Sequence, residues 1–101
     1  MLLSKSQERR IGEVIRLVHE RRLAESLAPV EEAILAWREG ARSIFEIDNA
    51  IHQHSMRAKR YFAVYANTAA SSPEALGILE EALDLSIINK EEHQHLTTIK
   101  H

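Results

Sequence analysis

Cysteine is absent from the 101 residues, which excludes disulfides, thiolate metal sites and thiol chemistry together. Glycine and proline are scarce, three and two, and only 5% of residues are aromatic. A fold of many strands joined by tight turns needs more of all three. Long apolar runs are missing as well: nothing approaches the ~20 residues of a membrane-spanning helix. The opening Met1-Leu2-Leu3-Ser4-Lys5 turns charged before any apolar stretch of signal-peptide length. These features lead us to expect a water-soluble chain in a cytoplasmic setting with no membrane partner. There is no Gly-rich phosphate loop and no Gly-x-Ser-x-Gly elbow. Ser55 adjoins His54, but neighbours on a helix diverge. No catalytic residue is assigned and no enzyme is expected.

What the chain does contain is 45% apolar and 28% charged residues, the balance of an ordinary globular domain. Ala, Leu, Glu and Arg, whose side chains lose little rotamer freedom in a helix, are abundant. The expected fold is therefore all-α, a single domain over residues 1–101. We expect a compact bundle of four to five helices around a long central helix.

The elements can be placed from periodicity and end signals. A first helix is expected from about Ser4 to Ser26, with Ile11, Val14, Ile15 and Val18 as one stripe. That stripe breaks at Arg21 and Arg22, which implies two packing partners or a bend near Glu20. Pro29 suits the first turn of a second helix and Gly40 its end. Ser43 with Glu46 three residues on is a capping-box pattern that opens the long helix, about 44–66. Ile44, Ile47, Ile51, Ala58, Phe62 and Tyr65 form its stripe. Ser72 is the expected N-cap of a fourth helix, whose Leu76, Leu79, Leu83 and Ile87 should meet the third. Asn89 and Glu92 repeat the capping logic for a short final helix that carries Ile88, Leu96 and Ile99 inward.

Chemistry-bearing residues are few. His-Gln-His occurs twice, at His52-Gln53-His54 and His93-Gln94-His95. Histidines two apart diverge by about 200° on a helix, so neither tripeptide chelates alone. Three- and four-residue spacings do align side chains, and these offer Asp48 with His52 and Glu92 (or Glu91) with His95. One acid-histidine pair from each of two helices would make a four-ligand site for a divalent metal, Asp48, His52, Glu92 and His95. The set lacks the further glutamates of di-iron bundles, so no cofactor is expected and metal binding stands as the alternative. His54 falls near the apolar stripe and reads as a half-buried histidine bonded to a backbone or carboxylate group.

Arg57, Lys59 and Arg60 are the strongest basic cluster and the candidate nucleic-acid contact, a second alternative. The charge balance argues against it. Residues 1–60 carry +2 and residues 61–101 carry −4, far from the basic field that phosphate backbones recruit. Phe45, Val64, Leu35, Ile78 and Leu85 lie off the main stripes. Such leftover apolar positions imply a second hydrophobic surface, hence a homo-oligomer or a protein partner that completes the bundle. The function expected is that of a small helical protein–protein interaction or regulatory module.

Overall fold

The computed structural model describes residues 3–98, and among them every regular element is helical. Five α-helices follow in order: α1 Lys5–Ser26, α2 Ala28–Arg38, α3 Ile44–Tyr61, α4 Glu74–Asp84 and α5 Lys90–Thr97. A π turn, Phe62–Ala66, extends α3 without a break.

The ends of these helices follow from local chemistry. Ser4 and Gln7 exchange hydrogen bonds at the start of α1: the Gln7 N–H donates to Ser4 Oγ at 3.1 Å, and the Ser4 N–H to Gln7 Oε1 at 2.9 Å. Gly40 closes α2 at φ 75°, where the Ala41 N–H reaches the Ala36 carbonyl (2.8 Å) and the Gly40 N–H that of Trp37 (3.0 Å). This six-to-one closure needs a left-handed residue, which glycine adopts without strain. At the start of α3 the Ser43 N–H donates to Glu46 Oε2 at 3.3 Å. Asn89 Oδ1 accepts the Glu92 N–H at 2.8 Å and starts α5. Ser72 does not cap α4; its hydroxyl bonds back to the Ala69 carbonyl (2.7 Å), and Pro73 stands at the N-cap position.

The core is built on α1. Ile11, Val14, Ile15 and Val18 lie buried together with Ala75, Ile78, Leu79 and Ala82 of α4, Tyr65 of the π turn, Ile88 and Leu96. Each of these aliphatic side chains larger than alanine contributes about 1.5–3 kcal/mol of transfer free energy. α4 packs on α1 rather than on α3, and the face it buries is turned from the expected one: Ile78 is covered whereas Leu76 is exposed. The reason is that Ala75, Ala82 and Leu79 make a flat seam that admits α1 closely. Ile99 lies outside the described residues.

α2 and the first half of α3 stand apart from this core as an antiparallel hairpin. The two helices pack mainly on each other, and of their residues only Ala33 and Ile47 are buried apolar groups. The hairpin draws the helical bundle out to 62 × 23 × 16 Å, with a radius of gyration of 17.6 Å, against about 13 Å for a compact domain of this length. We call this hairpin, from Leu27 to Met56, the arm.

Candidate functional site

The arm is fixed to the body by polar side chains that converge where α1 ends. Ser26, in the last turn of α1, is only 5% exposed, and its hydroxyl lies 2.6 Å from His54 Nδ1 of α3. Arg57, one turn further along α3, donates from Nε to Ser26 Oγ at 3.3 Å. The expectation of a half-buried His54 therefore holds, with a serine hydroxyl as its partner rather than a backbone group or a carboxylate. A buried serine against a histidine is also the beginning of a nucleophile–base pair. Here the third member is a guanidinium that donates to the serine oxygen and draws electron density from it. The contact ties the end of α1 to α3 and so joins the arm to the body.

A second polar cluster lies beside it. Arg22 Nε donates to Glu81 Oε2 at 2.7 Å, and Tyr65 Oη donates to the same carboxylate at 2.9 Å. Three elements, α1, the π turn and α4, are thereby tied at one carboxylate. Glu81 raises the pKa of Arg22 above its ordinary value, and burial, reinforced by Glu81, raises that of the Tyr65 phenol. His19 packs its ring against Tyr65 with centroids 5.5 Å apart. A shallow cleft of about 330 Å³ opens between the two clusters, lined by Arg22, Glu25, Ser26, Pro29, Arg57 and Tyr61.

The metal candidates do not converge. Among the described residues no group of three or more histidine, aspartate or glutamate side chains is placed to hold a metal ion. Asp48 and His52 are exposed on the arm. Glu92 instead meets Arg10 of α1 in a two-pronged pair, at 2.8 and 2.9 Å, and the His95 carbonyl accepts from Gln7 Nε2 at 3.1 Å. Of the acid-histidine pair on α5, Glu92 is therefore taken up in docking against α1, while the His95 side chain is exposed. His93 keeps a buried Nε2 with no partner among the described residues.

The basic cluster is also divided. Arg57 turns inward to Ser26, while Lys59 and Arg60 are exposed and diverge by about 100° round α3.

What the arm does present is apolar. Of the ten large hydrophobic side chains exposed among the described residues, seven fall between Leu27 and Met56. Phe45 is 79% exposed, Ile44 51% and Ile51 49%, with Leu35, Trp37, Leu27 and Met56 open to a similar degree. Phe62 continues the same surface towards the body at 61%. Ile44, Ile51 and Phe62 belong to the stripe expected to be core, and they are left uncovered because α2 is too narrow and too short to cover it. Comparison with protein-family models, with curated proteins and with solved structures gives no match.

Proposed function

We propose that this protein is a helical interaction module that acts by contact rather than by catalysis, with the α2–α3 arm as its contact surface. One observation carries the reading: the arm concentrates large exposed apolar side chains where the chain itself supplies only Ala33 and Ile47 as buried apolar groups. Isolated surface leucines are ordinary, but seven large apolar side chains gathered on one hairpin mark a surface that is covered in use. The arrangement divides labour, since α1, α4 and α5 provide the core and leave the arm free to carry a sticky face. Among the described residues no helix is long and apolar enough to cross a membrane. The lack of cysteine supports a cytoplasmic setting.

Photo-crosslinking tests the reading. A photoreactive residue at Phe45 should give a defined protein adduct that disappears when Ile51→Glu is added, and the same probe at Arg16, on the exposed face of α1, should give none. Equal crosslinking from both positions, or no adduct from Phe45, would overturn it.

A further inference from the structure

We propose that the partner on the arm is a second copy of this chain, packed about a two-fold axis with its α3 antiparallel to the first. This inference rests on the reading of the arm as a contact surface and names what occupies it.

The apolar positions on α3 fall into two lines. Ile47, His54, Tyr61 and Tyr65 are buried or half-buried against the rest of the chain. Ile44, Ile51 and Phe62 stand about 60–80° round the helix from that line and run straight for about 27 Å. Asp48, Ser55 and Ala58 separate them, so the surface is shallow enough for another helix to lie along it. In α2 the corresponding flank holds Leu27 and Ile34. Because helices of one hand that run antiparallel keep flanks of the same rotational sense on the same side, these residues widen the surface that Ile44 and Ile51 begin.

The size of the surface suits a dimer. Leu27, Ile34, Ile44, Ile51 and Phe62 leave on the order of 400–500 Å² of apolar area open. A standard interface takes about 800 Å² from each partner, and roughly 60% of that is apolar. The two values agree, and two helical hairpins joined face to face complete a four-helix bundle.

Charge decides the orientation. α3 carries its acids, Glu46 and Asp48, in the first half and its bases, Arg57, Lys59 and Arg60, in the second. Arg57 is engaged inward, but Asp48 and Lys59 both border the outer edge of the stripe, about 40° and 60° from it. Antiparallel packing centred near Gln53 sets Asp48 of one copy beside Lys59 of the other, twice per dimer, and Ile44 beside Phe62. Parallel packing would oppose like charges along the whole length. An exposed hydrophobic stripe with a self-complementary rim is what an isologous interface requires.

Sedimentation velocity on the full chain, over a range of concentrations, tests the proposal. The chain should show a reversible monomer–dimer equilibrium. Ile51→Glu should abolish the dimer with the helical circular dichroism unchanged. Asp48→Lys should weaken it about tenfold, and adding Lys59→Asp should restore it to within about threefold of the original. Three outcomes would overturn the second copy: a monomer at every concentration, a dimer indifferent to Ile51→Glu, or a charge reversal that the compensating change does not rescue. A monomer whose Phe45 probe still crosslinks to a different protein would overturn the second copy while leaving the contact reading intact.

Discussion

The carboxylate of Glu92 is held by Arg10 across 82 residues of chain, and that contact makes a single side chain report on the fold. The hydrogen bonds from Arg10 hold the Glu92 carboxyl below the ordinary carboxylate range, against the opposing effect of burial. A carboxylate whose folded pKa is depressed stabilises the fold above its unfolded pKa, and the contribution is lost as pH falls through the folded value. We expect Glu92→Gln to lose about 1 kcal/mol at neutral pH, a figure already reduced for the partial exposure of the pair. The two stability curves should converge as pH falls from the ordinary glutamate value, about 4.3, through the depressed folded value. Urea denaturation at a series of pH values checks this, and curves that stay parallel would refute it. None of these partners was legible at this scale. His54 could be placed near a buried face from its spacing, but Ser26 lies 28 positions away. Periodicity tells which side of a helix is covered and is silent on which atom covers it.

At the scale of the element, the chain's punctuation was readable because caps are local. Gly40, Ser43 with Glu46, and Asn89 each act within a few residues of themselves, whereas Ser72, expected to cap α4, bonds back to Ala69 and the bond from Gln7 to Ser4 was not read. The C-terminus of α4 was not foreseen, since it uses the same closure as α2 without glycine. Ser86 stands at φ 60°, and the Ile87 N–H reaches the Ala82 carbonyl at 2.9 Å. A left-handed backbone costs an L-residue about 1–2 kcal/mol, part of which glycine returns through its freer unfolded state. Ser86→Gly should therefore raise stability by about 0.5–1 kcal/mol, a few degrees in Tm. Calorimetry that finds no gain would show that the Ser86 side chain compensates for its backbone. The stripe of α3 shows the opposite limit. Its length was correctly expected, yet a stripe is evident in sequence whether its cover comes from the same chain or from another, so Ile44, Ile51 and Phe62 were assigned to the core.

Across the whole molecule, stability is unevenly distributed. The body encloses Ile11, Val14, Val18, Leu79 and Leu96 almost completely, while the arm rests on two small buried contacts and the joint at Ser26. Hydrogen exchange at concentrations where the chain is monomeric should find the amides of residues 30–52 at least about tenfold faster than those of residues 11–18, because the arm can open without the core. Uniform protection would contradict that division. The number and order of the helices could be derived from composition and period, though not the two ends of α4. The elongation could not, because it depends on how much of each apolar face the same chain covers. The π turn at Phe62–Ala66 adds a constraint of another kind. The turn takes up one residue more than an α-helical turn of the same rotation, so removing one residue there would let it relax to α and leave the bearing of the arm nearly unchanged. A residue removed from α3 itself would instead swing the arm by about 100° relative to the body, so the same indel is absorbed in one turn and re-aims the arm in the turn before it.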